Sequence, residues 1–153
     1  MSFSVNELIR LFLDEKSIID FRSDEVWIQH TLLYKKNEII FSEGEKADAV
    51  FLVCKGKVVL VKRKEGHSTS IQKNHSYGVI DHLTSGEMLG LPAALSDNTH
   101  STSAIAQSKV HALKVKREDL LFFLADHPDF HISVARKLSR KILHYERVLF
   151  KDI

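Results

Sequence analysis

The chain has 153 residues, 44% of them hydrophobic and 27% charged, and its basic and acidic side chains leave a formal net charge of only +2. This composition is typical of one compact domain, residues 1–153, and so small a charge gives no electrostatic indication of nucleic-acid binding. Charged residues interrupt the apolar pattern near the N-terminus, and no apolar run approaches the roughly 20 residues of a membrane span. We therefore expect a cytoplasmic protein with no membrane partner.

The N-terminal region predicts helical structure. Apolar side chains at helical spacing indicate a short amphipathic helix, and they are Val5, Leu8, Ile9, Leu11, Phe12 and Leu13. Further along, Ser23 followed by Asp24 and Glu25 is typical of the capped start of another short turn of helix. Both features precede the first glycine of the chain.

The middle of the chain predicts a roll of short β-strands. All six glycines fall there, mostly 8 to 12 positions apart, which is the spacing of turns between short strands. They are Gly44, Gly56, Gly66, Gly78, Gly86 and Gly90. Runs rich in β-forming residues predict strands over 49–54 and 58–61, joined by a tight hairpin turn at Lys55-Gly56.

Two more short strands, over 103–107 and 110–115, complete a roll that should span about 31–115. The polar segment 64–77 is predicted to be an extended hairpin loop. It contains His67 and His75, which we interpret as solvated loop residues rather than as metal ligands.

The C-terminal region, about 116–150, predicts two helices. Apolar side chains recur at helical spacing over 116–125, and this first helix should end near His127 because Pro128 follows it. A second helix should run from about 129 to 150. About 22 residues make a helix about 33 Å long, which is longer than one face of a small roll requires.

The long helix also predicts a homodimer. Its apolar side chains repeat at intervals of 3, 4, 3 and 4 residues, the seam spacing of a coiled coil, at Ala135, Leu138, Ile142, Tyr145 and Leu149. We expect part of this seam to meet a second copy of the chain; the alternative is that the stripe packs only on its own domain. Basic residues on the other faces should be solvated, and they are Arg136, Lys137, Arg140, Lys141 and Arg147.

Several segments carry a family resemblance. Residues 34–58 contain Tyr34, Gly44 and Gly56 in order, and residues 83–90 read Leu-Thr-Ser-Gly-Glu-Met-Leu-Gly. Together with 104–115, 117–120 and the pair His127-Pro128, they make the chain similar to the cyclic-nucleotide-binding domain of the Crp/Fnr superfamily over about 31–150. The resemblance implies a mainly β fold: a double-stranded β-helix (jelly roll) with flanking N-terminal helices, a short helix and a long C-terminal dimerisation helix.

The resemblance places the ligand site in the cassette 83–106. In nucleotide-binding members a Gly-Glu pair binds the ribose through its glutamate, a short helix directs backbone N–H groups at the cyclic phosphate, and an arginine about ten residues later binds the same phosphate. Here Gly90 matches the glycine, Leu91 stands where the glutamate belongs, and His100 falls at or beside the arginine. Gly86-Glu87 is an alternative Gly-Glu pair, but the longer spacing to His100 disfavours it.

The resemblance therefore implies a degenerate site. The candidate ligand contacts are Gly90, Leu91, Pro92, Ala93, His100, Ser101 and Thr102. Each missing charged partner removes roughly 1.5 to 3 kcal/mol of binding energy, so binding of cAMP or cGMP should be weak, altered or absent. Protonated His100 would partly replace the arginine, and any nucleotide should then bind more tightly near pH 6 than near pH 8. The hydroxyls at 101–103 are either ligand contacts or strand-end residues without a ligand.

The resemblance also implies regulation rather than catalysis. Members with a Gly-Leu-Pro-Ala cassette, as at 90–93, look like regulators that do not use cyclic AMP in the usual way. Full-length regulators continue past the long helix into a helix-turn-helix domain, for which this chain has no room, so we expect no direct DNA binding by this chain. It is then either a stand-alone protein that acts through a partner or competes for one, or a fragment without the DNA-binding part, and Met1 indicates a natural N-terminus in both cases.

Metal-dependent and nucleophilic catalysis are not indicated. Jelly-roll metalloenzymes usually carry a His-x-His pair, and none of the nine histidines forms one. No nucleophile elbow or P-loop occurs, and the single cysteine, Cys54, lies in an apolar run where burial is expected. We expect no enzyme activity, no metal and no certain cofactor. Two functions remain: a sensor of a cyclic nucleotide or another small anionic effector, or a dimeric protein-interaction scaffold with a vestigial pocket.

Overall fold

The computed structural model describes residues 31–64, 77–96 and 98–151, together with Asn6, Ile9, Arg10 and Leu13. The strands are β1 (Leu32–Tyr34), β2 (Ile39–Phe41), β3 (Ala49–Lys55), β4 (Val58–Arg63), β5 (Tyr77–Leu83), β6 (Met88–Leu89), β7 (Ser103–Ala106) and β8 (Val110–Lys116). The helices that follow or interrupt them are α1 (Leu91–Leu95), α2 (Arg117–Asp126) and α3 (His131–Leu149), with a 3-10 turn at Pro128–Phe130.

The strands form two antiparallel four-stranded sheets, with the orders β1-β8-β3-β6 and β2-β7-β4-β5. Phe51 and Val53 of β3 belong to the core between the sheets, whereas Val50 and Leu52 pack under the helices on the opposite face. Because both faces of β3 are covered, all of it except Lys55 is buried, and its sequence is continuously apolar rather than alternating. The predicted mainly β jelly roll is confirmed.

The four predicted strands are confirmed with small differences at their ends, but the predicted hairpin between the first two is wrong. β3 pairs with β6 and β8, and β4 pairs with β5 and β7, so Lys55-Gly56 carries the chain from one sheet to the other. Gly56 has a φ of 106°, and a Cβ there would collide with the carbonyl oxygen of Lys109. This crossing therefore requires glycine for its conformation and for its space.

The connection between β4 and β5 is a hairpin, because these consecutive strands pair in antiparallel fashion, with Arg63 opposite Tyr77. The loop itself, with Gly66, His67 and His75, lies outside the described residues. Gly78, which the spacing placed in a turn, lies inside β5.

The N-terminal residues that the structure describes are helical, as predicted. Ile9 and Leu13 are fully buried in the core beneath the helices, and the guanidinium of Arg10 lies 5.6 Å from the ring centroid of Phe130. The other residues of the predicted helix, and the turn expected at 23–25, lie outside the described residues.

The two C-terminal helices are confirmed, with one shift in their bounds. α2 ends at Asp126, before Pro128, and the ring of His127 stacks on Phe123 with 4.1 Å between centroids. The long helix begins at His131 rather than at about 129, because Pro128–Phe130 form the 3-10 turn.

Replacing Gly56 with alanine should destabilise the fold strongly. A left-handed φ costs a residue with a Cβ about 1 to 2 kcal/mol, and overlap with the Lys109 carbonyl should raise the loss in unfolding free energy to about 3 kcal/mol. Gly44→Ala is the matched control, because Gly44 has a φ of 90° but open space around the added Cβ. Urea unfolding measures both variants, and equal losses would contradict the steric part of the argument.

Candidate functional site

A cavity of about 750 Å³ lies between β5, the segment from β6 through α1, and α3. Pockets that bind small molecules usually measure about 300 to 1,000 Å³. Its inner wall is apolar and includes Phe41, Leu60, Leu83 and Leu89 from the core between the sheets. Polar side chains surround this wall, so the cavity can hold a small ligand that has both apolar and polar parts.

All seven predicted cassette residues line this cavity, namely Gly90, Leu91, Pro92, Ala93, His100, Ser101 and Thr102. The chain turns into α1 at Gly90, whose φ is 83°. A Cβ on Gly90 would lie 2.9 Å from Cε1 of His100, which is too close for any side chain. The first and last parts of the cassette are therefore in direct contact.

Leu91 contributes an apolar wall where nucleotide-binding relatives are expected to carry a carboxylate. It is only 4% exposed and packs with Ala94 in the core between the first sheet and the helices. α1 is short, and Pro92 in its first turn has no backbone N–H to donate. At this end of the cavity, Leu91 and Pro92 therefore provide apolar contact surface rather than hydrogen-bond donors.

His100 is a buried aromatic side chain rather than an exposed cation. It is 4% exposed, and its ring stacks on Phe41 with 3.8 Å between centroids. Burial lowers the pKa of His100 below its ordinary value, although Glu45 and Asp48 oppose that shift.

The lowered pKa of His100 weakens the basis for the expected pH dependence of ligand binding, which stays a prediction. His100 takes up a proton at lower pH than a free histidine, so it carries less charge near pH 6 than the sequence argument assumed. Because its folded-state pKa lies below the unfolded value, protonation destabilises the fold as the pH falls below about 6.5.

Ser101 and Thr102 line the cavity directly after His100, and Lys62 reaches the same place from β4. The Lys62 Nζ donates a hydrogen bond of 3.0 Å to the Ser101 carbonyl oxygen and lies 3.3 Å from a carboxylate oxygen of Glu43. Ser103 uses its hydroxyl within the fold, where it accepts a 2.8 Å hydrogen bond from the Glu43 N–H. Sequence reasoning missed Lys62 because it lies 39 residues before Ser101.

An ion cluster that the sequence did not predict joins α3 to the roll. The carboxylate of Asp81, on β5, is 9% exposed and lies 3.2 Å from the Lys141 Nζ and 3.1 Å from the His144 Nε2. The same Lys141 Nζ lies 3.5 Å from Glu87. A buried carboxylate needs such partners to be stable, so the cluster fixes α3 against β5 at the cavity.

The expectation that the basic face of the long helix is solvated is wrong for part of that face. Lys141 is partly buried in the ion cluster and Lys137 is partly buried at the cavity, whereas Arg136, Arg140 and Arg147 are exposed as expected. Lys141 follows the buried Val134 by seven residues, which places both on the same side of the helix. Burial, with the charges of the nearby carboxylates added to it, raises the pKa of Tyr145 on this side to about 12.

The alternative Gly-Glu pair also reaches the cavity. Glu87 lines it, but one carboxylate oxygen accepts a 2.7 Å hydrogen bond from the Thr84 N–H and the other lies near Lys141. Both carboxylate oxygens of Glu87 therefore already have partners within the protein.

The structure divides the predicted dimer seam between two sides of α3. Leu138 packs against the core and lines the cavity with Tyr145, whereas Ala135 and Ile142 are exposed and do not line it; Leu149 is exposed at the edge of the cavity. Other exposed apolar residues on or next to α3 are Ile132, Leu143, Val148 and Phe150. Packing on its own domain thus accounts for Leu138 and Tyr145, and Val148 and Leu149 lie at the cavity. Among the described residues, Ala135 and Ile142 define an outer side of the helix that stays exposed.

Within the described ranges, no group of three or more histidine, cysteine, aspartate or glutamate side chains is arranged to hold a metal ion. No helix in that same part of the chain is both long enough and apolar enough to cross a membrane. Cys54 is buried as expected, and burial raises the pKa of its thiol to about 12, which disfavours the reactive thiolate.

A two-sheet roll whose cavity lies between a short cassette and a long C-terminal helix defines a class of small-molecule-binding domains. Residues 31–127 match the family model of the cyclic nucleotide-binding domain. The chain belongs to this family, and the resemblance to Crp/Fnr proteins is confirmed.

The chain is similar to parts of larger proteins. It is 34% identical to human cGMP-dependent protein kinase 2 over 86 residues, which are 56% of this chain and 10% of the kinase. It is 28% identical to the Cyclic AMP receptor protein of Thermus thermophilus over 110 residues, which are 72% of this chain and 47% of that protein. The crystal structure of the Thermus thermophilus Catabolite Activator Protein superposes with a TM-score of 0.67 at 23% identity, covering 90% of this chain and 61% of that one.

Asp81→Asn should loosen α3 from the roll. The amide keeps the shape but loses the charge that attracts Lys141 and His144, and because these partners are partly exposed we expect a loss of about 1 to 2 kcal/mol. Amide hydrogen exchange in α3 should rise by about tenfold while exchange in β3 stays unchanged. Glu146→Gln, at an exposed position on α3, is the control. Equal exchange in Asp81→Asn and wild type would show that apolar packing alone holds the helix.

Proposed function

We propose that this chain is the sensor part of a non-enzymatic regulator, and that its cavity binds a cyclic nucleotide or another small anionic effector with modest affinity. The observation that carries the proposal is the open cavity of about 750 Å³ between the cassette and α3 of a cyclic nucleotide-binding domain. The relatives include a cGMP-dependent kinase and a cyclic AMP receptor. Cyclic GMP and cyclic AMP are therefore the first ligands to test.

Modest affinity follows from the groups that the cassette offers. We assign ligand contact to Gly90, Leu91, Pro92, Ala93, His100, Ser101 and Thr102, all of which line the cavity. Leu91 has no polar group, and the buried ring of His100 favours its neutral form. Two missing charge-assisted hydrogen bonds, at about ten- to a hundredfold each, take a micromolar binder toward millimolar affinity.

The second candidate is a dimeric protein-interaction scaffold with a vestigial pocket. The observation in its favour is that Leu91 and His100 are both buried against neighbours within the fold. These side chains nevertheless leave a cavity of about 750 Å³. The space that is still open favours the sensor over the scaffold.

We also propose that two copies of the chain pair through the outer side of α3. Ala135 and Ile142 are seven residues apart on the side of the helix that does not line the cavity, and Leu149 follows at the same interval at the edge of the cavity. Ile142 is 58% exposed and Leu149 is 69% exposed. Pairing with a second copy would remove this apolar surface from water.

Direct contact with DNA is not part of the proposal. The net charge is only +2, and Lys137 and Lys141 are partly buried at the cavity instead of extending a basic surface outward. A signal from the cavity would then pass to a partner through α3. The chain spans less than half of the curated bacterial relative named above, so the role of that whole protein does not transfer with the fold.

Ser101→Arg should tighten cyclic nucleotide binding. Ser101 is exposed at the cavity, and a guanidinium there would restore a charge-assisted hydrogen bond, raising affinity by about tenfold. Thr99→Arg is the control, because Thr99 is exposed nearby but does not line the cavity. Titration calorimetry with cyclic AMP and cyclic GMP measures both. Equal gains in the two variants would indicate general charge attraction and argue against a phosphate at Ser101.

Ile142→Glu should convert the dimer to a monomer, because it places a charge in the middle of the apolar side of α3. Light scattering coupled to size exclusion should show the molar mass falling to about half. Phe122→Glu, at a residue of α2 that is 74% exposed, is the control and should leave the mass unchanged. A wild-type chain that is already monomeric at high concentration would rule out the pairing.

A further inference from the structure

The side-chain ammonium of Lys62 lies at the end of the cassette, although the cassette, residues 83–106, contains no lysine or arginine of its own. The Nζ of Lys62 is held 3.0 Å from the carbonyl oxygen of Ser101, and Lys62, Ser101 and Thr102 all line the cavity. This is the part of the cassette where the resemblance places the phosphate-binding arginine of nucleotide-binding members. The fold thus brings a charge from β4 to a position that lacks one in the local sequence.

The other basic groups of the cavity are placed differently. Lys141 lies between the carboxylates of Asp81 and Glu87, at 3.2 and 3.5 Å, so its charge is already balanced. Lys137 and Arg140 also line the cavity, but they are on α3 and do not belong to the cassette. Lys62, in contrast, contacts the cassette backbone itself.

Glu43 is the carboxylate that now holds Lys62. Its Oε1 lies 3.3 Å from the Lys62 Nζ, and its Oε2 accepts a 3.0 Å hydrogen bond from the Arg63 N–H. The Lys62 side chain is 51% exposed, and an ion pair this exposed contributes little stability. A lysine ammonium sits on a flexible stem, so it can turn from Glu43 to an incoming anion without disturbing the strands.

We propose that Lys62 supplies the positive charge for the phosphate of a ligand in this cavity, in place of the arginine that the cassette lacks, and that Glu43 competes for that charge. The assignment rests on the proposed function, because it requires an anionic ligand at the cassette. An ammonium binds phosphate as a point charge, without the two-point geometry of a guanidinium. The ligand therefore carries a phosphate at the end of the cavity formed by Ser101 and Thr102.

Opposite changes at two residues test this assignment. Lys62→Gln should weaken binding of cyclic AMP or cyclic GMP, whichever the wild type binds more tightly, by about five- to tenfold. Glu43→Gln should tighten binding of the same nucleotide by about two- to threefold, because Lys62 loses its competing partner. Titration calorimetry at low ionic strength measures both, and both differences should shrink as salt is added.

Two further variants and a stability measurement distinguish the loss of the Lys62 charge from a loss of folded structure. Lys62→Arg should keep the affinity, and Lys57→Gln, at an exposed lysine that does not line the cavity, should leave it unchanged. Urea unfolding establishes that each variant is folded. Unchanged affinity in Lys62→Gln, or weaker binding in Glu43→Gln, overturns the role of Lys62 and leaves the proposed function standing. A wild type that binds neither nucleotide at concentrations up to about 10 mM overturns both.

Discussion

The close approach of Gly90 to the ring of His100 is the contact on which the candidate site depends. The left-handed turn at Gly90 starts α1, and the ring occupies the space that any Cβ would need. The same ring stacks on Phe41 of β2, so one contact joins both parts of the cassette to the second sheet. The arrangement also has an electrostatic result, because a ring that is buried in this way favours its neutral form. The packing that shapes the cavity thus makes this histidine less prone to carry a positive charge.

α3 is held by two different forces on its inner side. Val134 and Leu138 pack against the apolar core, and Lys141 and His144 meet the buried carboxylate of Asp81 farther along. Close packing fixes the distance between apolar surfaces, and the Asp81 carboxylate adds polar partners that lie farther along the helix. The two contacts together set the position of the helix over the cavity.

Local sequence patterns predicted where strands lie along the chain, but not which strands pair with one another. Apolar runs and glycine spacing placed four of the eight described strands, β3, β4, β7 and β8, within two residues of their observed ends, because both patterns reflect local backbone geometry. The turn at Lys55-Gly56 was mistaken for a hairpin, since a turn residue indicates that the chain changes direction but not which strand it then meets.

The candidate site shows the same difference between residues that are adjacent in the sequence and residues that only the fold brings together. The cassette residues are contiguous or nearly so, and their resemblance to a family motif identified them. Asp81 and Lys62 come from separate strands, and a charged residue on a strand is usually solvated, so nothing in the sequence marked them as cavity residues. The lowered pKa of His100 was also out of reach, because burial depends on which distant side chains surround the ring.

The crossing at Gly56 has a consequence for how the protein folds. Because β3 and β4 enter different sheets, the first sheet forms only when β1 and β3 meet β8, with Leu32 opposite Ala112 and Leu52 opposite Leu113. Pairings between such distant segments require closure of long loops and form slowly. β8 is the last strand of the roll to leave the ribosome, so a nascent chain has no closed first sheet, and no complete wall for the cavity, until the sequence beyond the cassette has been made.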